Sequence, residues 1–271
     1  MKNSQTSPNH WNAEDYSTNS SIQYRYAIRL LNQYSFESHE HILDIGCGDG
    51  KITALMAESI PHGQILGIDS SPAMITYAKK FEKSLKNISF HQQDATQLNF
   101  TEKFNWVTSF SCLQWVEDQQ AAWEGIYQAL VPGGKAMVLF YRKLNKVWQA
   151  IDELVALSEW KSFLTNYHPP VVHAPLYEKM DQTDYCRMLE NIGLQVDYSE
   201  EGTELCFFEN KNVFERFVAG WMPYLLKIPM EKQAAFMSQF GTLYLKLVPA
   251  ESSGAVKMYV PHRTFVVTKR A

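Results

Sequence analysis

The residues Leu43-Asp44-Ile45-Gly46-Cys47-Gly48-Asp49-Gly50 set three alternating glycines between a short apolar run and a helical pattern. Glycines so placed let a backbone turn sharply and approach a ligand closely. The dinucleotide fingerprint is spaced GxGxxG and presents a helix N-terminus to a pyrophosphate. Here the spacing is GxGxG, and Asp44 stands two residues before the first glycine. A carboxylate is a poor partner for a phosphate. It suits a ligand bearing an amino group and a positive charge. The plain alternative is a tight strand–helix turn that holds no ligand.

Asp69 in Gly67-Ile68-Asp69-Ser70 closes the next apolar run. An acid about 20 residues beyond the glycines ordinarily receives ribose hydroxyls. The competing role is a helix N-cap, which Ser70 or Ser71 can fill instead. After the following run comes Gln93-Asp94-Ala95, whose acid can accept from an adenine amino group, although Asp at a strand end is common. Taken in register, these acids describe a site for S-adenosylmethionine, which carries both an ammonium and a sulfonium. The expected cofactor contacts are Asp44, Gly46, Cys47, Gly48, Asp69, Ser70, Met74, Asp94 and Ala95.

Such a site needs strands that end where the acids stand. Apolar runs predict strands over 41–45, 64–69, 88–93, 105–110 and 135–141. Amphipathic stretches predict helices over 20–34, 51–59, 72–85 and 118–130, the last ended by Pro132-Gly133-Gly134. Alternation of this kind argues for βαβ units and a parallel sheet. Beyond it, 146–164 reads as one helix, and a helix near 183–192 leads through Gly193 to a strand from Leu194. Two further helices carry aromatic stripes, Phe214 to Leu225 and Phe236 to Leu247, before a last strand over 256–267. The expected fold is α/β, a doubly wound, Rossmann-like and mostly parallel seven-stranded sheet with helical cap insertions. Residues 1–145 would hold the N-terminal helix and cofactor core, 146–192 a helical insertion, and 193–271 the rest of the sheet with cap helices. Together they make one compact domain plus its cap.

Composition excludes several classes. The chain has 271 residues, 45% of them hydrophobic, and a net charge of −4, so nothing indicates a nucleic-acid groove or a membrane surface. Cys47, Cys112, Cys186 and Cys206 lack CxxC spacing and neighbouring His pairs, against disulfides and zinc. Met1 to Trp11 is polar without an apolar h-region, and no apolar stretch approaches the ~20 residues of a membrane span. The expectation is a cytoplasmic protein, monomeric or homodimeric, using no metal.

The glycine motif, Asp69, Asp94-Ala95 and the turn Leu130-Val131-Pro132-Gly133-Gly134 together resemble the class I S-adenosylmethionine-dependent methyltransferases over residues 16 to 141. The stretch Ser109-Phe110-Ser111-Cys112-Leu113-Gln114-Trp115-Val116-Glu117-Asp118-Gln119 is similar to that of juvenile hormone acid and trans-aconitate methyltransferases. Asp15-Tyr16-Ser17 and Asn19-Ser20-Ser21-Ile22-Gln23 resemble the start of the hormone enzymes. Position 114 is Gln, as in the aconitate group, where the insect enzymes typically have His. These families methylate carboxylates of small, mostly apolar acids, and the resemblance implies a methyl ester as product. It implies Gln23 and Trp115 as the positioning pair beside the substrate and Ser111 at the cofactor. Tyr16, Gln114 and Trp221 complete the expected substrate contacts.

Related families use malonyl-carrier protein, sterols or quinones, so a carrier-borne carboxyl or another acceptor stays open, as does a binding module without catalysis. No motif places a base. Trp115 fits core packing as well as the site, and Cys112 a buried thiol rather than a nucleophile. His168 and His173 fall in a proline-rich loop, and His262 lies in the last strand, where it reads as structural. Arg142, Arg187 and Arg216 are candidates for a substrate carboxylate or for plain surface roles.

Overall fold

The computed structural model describes residues 21–167 and 175–270. Tyr16, His168 and His173 lie outside the described residues. In chain order the elements are α1 (Ser21–Leu31), β1 (His41–Ile45), α2 (Lys51–Ser59), β2 (Gln64–Asp69), α3 (Pro72–Ala78), β3 (Ile88–Gln92), β4 (Phe104–Phe110) and α4 (Gln119–Ala129). There follow β5 (Leu130–Tyr141), α5 (Asn145–Val155), α6 (Ser158–Leu164), α7 (Pro175–Lys179) and α8 (Gln182–Ile192). The chain ends with β6 (Leu194–Phe208), α9 (Lys211–Ala219), α10 (Met230–Leu247) and β7 (Val256–Lys269).

The strands form one seven-stranded sheet in the order β3-β2-β1-β4-β5-β7-β6. The first five run parallel, and β7 is antiparallel to both β5 and β6. This is the architecture expected from the alternating pattern. β1 buries every residue after His41, as a strand covered on both faces must. Alternate residues divide the core in two. Ile42, Trp106, Met137 and Leu139 pack with Ile22, Tyr26 and Leu30 of α1 and with Phe236 and Phe240 of α10. Val107, Val138, Phe140 and Phe265 pack with Trp123 of α4 and Tyr185 of α8. The chain order reverses between β1 and β4. At such a switch point the loops beyond the strand ends part and leave a crevice.

Four boundaries differ from expectation. The helix over 72–85 tightens after Ala78 into a 3-10 segment, Lys79–Lys83, where Glu82 accepts from the Phe90 amide at 2.9 Å and draws the chain toward β3. The stretch 146–164 is two helices, because Leu157 is extended and the chain folds back. That break lets Trp160, 1% exposed, meet Phe236 edge-on at 5.1 Å. Pro132-Gly133-Gly134 lies within β5 as an irregularity, since the ladder jumps from Phe104↔Leu130 to Trp106↔Lys135. The first helix ends at Leu31 rather than Tyr34. Among the described residues no helix is long and apolar enough to cross a membrane.

Candidate active site

β1 ends at Ile45, and the chain turns at once through Gly46 at φ 73° and Gly48 at φ 53°. Both are left-handed conformations that suit glycine. The amides of Gly46 and Cys47 donate to Ile68 O at 2.8 and 2.9 Å, which pins the turn against β2. A Cβ on Gly46 would meet the Cys112 side chain at 2.4 Å, so the β4 loop presses directly on the turn. The Cys47 side chain is buried, so only its backbone belongs to the turn.

Asp69 ends β2 and holds two amides. Its Oδ2 accepts from Gly48 N at 3.0 Å and its Oδ1 from Ser71 N at 2.8 Å. Ser71 caps α3, with its Oγ accepting from Met74 N, which frees Asp69 from the capping role. Asp94 is exposed beyond β3, and its Oδ1 accepts from the Thr96 amide and hydroxyl, each at 2.8 Å.

These residues share one groove of about 350 Å3. Its lining comes from the ends of β1, β2 and β3 (Ile45, Gly46, Asp69, Ser70, and Gln93 to Thr96) and from the β4–α4 connection (Cys112 and Trp115 to Asp118). Four of the lining residues are carboxylic acids, and none is Lys, Arg or His. Such a lining disfavours a pyrophosphate and attracts a cation. Burial raises the pKa of the Asp69 carboxyl, opposed by the Ser71 and Gly48 amides. A cationic ligand would relieve the strain of keeping it ionised. The groove thus fits an adenosyl sulfonium. A larger hollow of about 730 Å3 lies between α4 and α8, but it shares no residue with the glycine turn.

Several expected contacts need correction. Asp44 lies beneath the turn at 2% exposure and outside the groove lining. Its two oxygens accept from Thr53 Oγ1 at 2.6 Å and Thr108 Oγ1 at 2.9 Å. The two threonines that hold it carry no motif visible in the sequence. The Met74 side chain is buried below α3, since its amide faces the cap and its thioether the core. Trp221, expected at the substrate, is buried with its ring 6.0 Å from Trp148, because the chain turns inward after α9. Met222 is likewise core.

Trp115 sits half-buried on the groove wall, on a 3-10 turn (Leu113–Trp115) that follows β4 directly. Ser111 begins this connection at φ 59°, and Gln114 Nε2 donates to Ser111 O at 2.9 Å, bracing it. Gln114 Oε1 and Ser111 Oγ are sealed from solvent and meet no protein hydrogen-bond partner. Gln23 lies on α1, outside the groove lining, and its Oε1 is in the same condition. The candidate arginines are engaged or remote. Arg142 pairs with Glu178 and Glu201, Arg187 pairs with Asp184, and Arg216 is exposed on α9. Arg263 was no candidate from sequence, yet it is buried, bonds the carbonyls of Tyr177 and Met180, and ties α7 to the sheet. Among the described residues no three His, Cys, Asp or Glu are grouped to hold a metal ion.

Burial pushes the Asp44 pKa up to about 6, against the two threonine hydroxyls and with help from the Asp69 charge. The folded protein therefore holds this proton more tightly than the unfolded chain does. That contribution to stability is present at acid pH and is lost as pH rises from about 4 to about 6. A cation in the groove prefers the ionised form, so binding should release protons near pH 6. Calorimetry should show S-adenosylmethionine binding about 3- to 10-fold tighter at pH 7.5 than at pH 5. Asp44→Asn should flatten much of that difference, and an equally steep profile in the variant would assign it elsewhere.

The model of a family described as "Methyltransferase domain" matches residues 36–193. Trans-aconitate 2-methyltransferase of Acidovorax sp. (strain JS42) is 26% identical over 267 residues, 96% of this chain and 98% of that protein. Juvenile hormone acid O-methyltransferase of Drosophila melanogaster is 24% identical over 247 residues, 88% of this chain and 82% of that protein. The structure of Haemonchus contortus phosphoethanolamine N-methyltransferase 2 in complex with S-adenosyl-L-methionine aligns with a TM-score of 0.58 at 16% identity. It covers 96% of this chain and 57% of that one.

Proposed function

We propose a carboxylate acceptor for this chain, which belongs to the methyltransferase domain family and is an S-adenosylmethionine-dependent methyltransferase. The substrate would be a small, largely apolar acid and the product its methyl ester. The observation that carries this reading is the neutral hydroxyl of Ser111 at the start of the β4–α4 connection. Ser111 lies next to the groove-lining Cys112, its hydroxyl is sealed, and Gln114 braces it by donating to its carbonyl. A neutral hydroxyl can donate to an anion that needs no activation. The names of two relatives support it, one an acid O-methyltransferase and the other acting on trans-aconitate.

In this reading Asp69 takes the ribose hydroxyls, with Ser70 beside it, and Asp94 with Ala95 takes the adenine. The glycine turn, with Asp44 below it, faces the ammonium. When bound, S-adenosylmethionine supplies a sulfonium methyl whose transfer to an acceptor oxygen leaves a neutral thioether. The chain's task is then alignment and exclusion of water. The Trp115 indole forms a wall of the groove, and its face favours a nearby cation.

The pH profile tests the acceptor. A carboxylate, pKa about 4, is ionised throughout the neutral range, whereas an amine or phenol must first lose a proton. At saturating cofactor, kcat should stay nearly flat from about pH 6 to 9. A rate that climbs through neutrality, with turnover of an amine and of no acid in a broad panel, would refute the carboxylate while leaving the methyltransferase intact.

A further inference from the structure

Tyr141 ends β5, and His262 faces it directly across the antiparallel ladder to β7. Directly opposed residues project from the same face of a sheet. Tyr26 of α1 covers both, its ring centroid 6.0 Å from Tyr141 and 6.0 Å from His262. Gln23 precedes Tyr26 by one helical turn, so the face of α1 that carries it looks toward this pair.

The fold makes no use of the polar atoms here. His262 is 2% exposed, and neither ring nitrogen meets a protein hydrogen-bond partner. The Tyr141 hydroxyl is also sealed, and apart from each other it and its neighbour the Ser111 hydroxyl have no protein partner. Buried polar groups left unmatched are rare, and each asks for an explanation. On the far side the imidazole is held flush against β6, since a Cβ on Gly202 would stand 3.0 Å from His262 Cε1. Burial pushes the Tyr141 phenol well above its ordinary pKa, so it keeps its proton and remains a donor. The imidazole carries at least one N–H in either of its tautomers. The nearby arginines are already engaged, Arg25 with Cys206 and Arg29 with Glu204.

We propose that Tyr141 and His262 seat the acceptor's carboxylate, donating to one of its oxygens and leaving the other free to attack the methyl group. The inference rests on the carboxylate reading above. It makes the pair determinants of specificity: a carboxylate accepts from both groups at once, while an ammonium brings only donors and accepts from neither. Both residues position the acceptor, and neither takes a proton.

The test uses Tyr141→Phe and His262→Leu in the full chain, with octanoate, laurate and trans-aconitate as acceptors. Each variant should raise KM for the acid turned over by the wild type about 10- to 100-fold, as expected for a lost charge-assisted hydrogen bond, with kcat changed less than about threefold. The Tm of the ligand-free protein should hold or rise by about 1–4 °C, because an unmatched buried polar group has been removed. A structural role would lower it. Unchanged KM in both variants overturns the seat and leaves the carboxylate reading standing. A collapse of kcat at constant KM in His262→Leu also overturns it, making the imidazole a base. A wild type that methylates an amine and none of the acids removes the carboxylate reading and the seat with it. If none of the three acids is turned over, the Tm values decide alone, and a drop of several degrees in both variants overturns the proposal.

Discussion

Asp69→Ala is expected to weaken S-adenosylmethionine binding by about 2–3 kcal/mol, roughly 30- to 150-fold, the usual cost of charged hydrogen bonds lost to a ligand. The side chain does two things at once. It holds the glycine turn through Gly48 N and the start of α3 through Ser71 N, and each oxygen keeps a lone pair for a hydroxyl. Its removal takes away the ribose partner and loosens the turn that approaches the cofactor. Asp69→Asn keeps one carbonyl oxygen, so its loss should be smaller. Asp94→Ala should also cost less, because Asp94 is exposed and already shared with Thr96. Titration calorimetry on the three variants should give that order. An Asp69→Ala protein with wild-type affinity would remove the ribose assignment.

The parallel sheet was legible because its strands are short apolar runs ended by acids and glycines, and local pattern carries that information. The groove followed from it. Gly46, Asp69, Ser70, Asp94, Ala95 and Trp115 were expected together and stand together, since each sits at or just beyond a strand end on one edge of the sheet. The residues that lie outside the groove lining were less legible for a different reason. Whether Asp44, Cys47 and Met74 face a ligand or the core depends on a rotation of less than one residue at a turn, which periodicity does not resolve. Trp221 belongs to an aromatic stripe whose inner and outer members are sorted only by the packing of α9 against its neighbours. Tyr141 and His262 come from strands more than a hundred residues apart. Their adjacency is a property of the β5–β7 register, and no spacing in the chain announces it. Arg263 is hidden in the same way, as an unremarkable basic residue in an apolar strand that proves to be buried.

Gln23→Ala and Trp115→Ala should each lower kcat/KM by about 10- to 1,000-fold while changing cofactor affinity much less. The two residues arrive from opposite ends of the cofactor core, Gln23 on α1 and Trp115 on the turn after β4. Trp115 is bound to the cofactor groove by position, as a half-buried residue that lines it together with Asp69 and Asp94. Gln23 has a sealed, unpaired Oε1 and no place in the groove lining, so its effect should fall on the acceptor. The two variants should therefore differ in kind. Gln23→Ala should act mainly through KM for the acceptor and leave the calorimetric affinity for S-adenosylmethionine unchanged. Trp115→Ala should act mainly through kcat if, as proposed, the indole lies beside the transferred methyl group, and Trp115→Phe should then recover part of the loss by restoring a flat apolar wall. Melting temperatures measured alongside distinguish alignment from damage, because Trp115 is only partly buried and its truncation leaves both core clusters largely intact. Wild-type kcat/KM in both variants would remove the positioning pair, and equal losses in cofactor affinity would assign both residues to the cofactor instead.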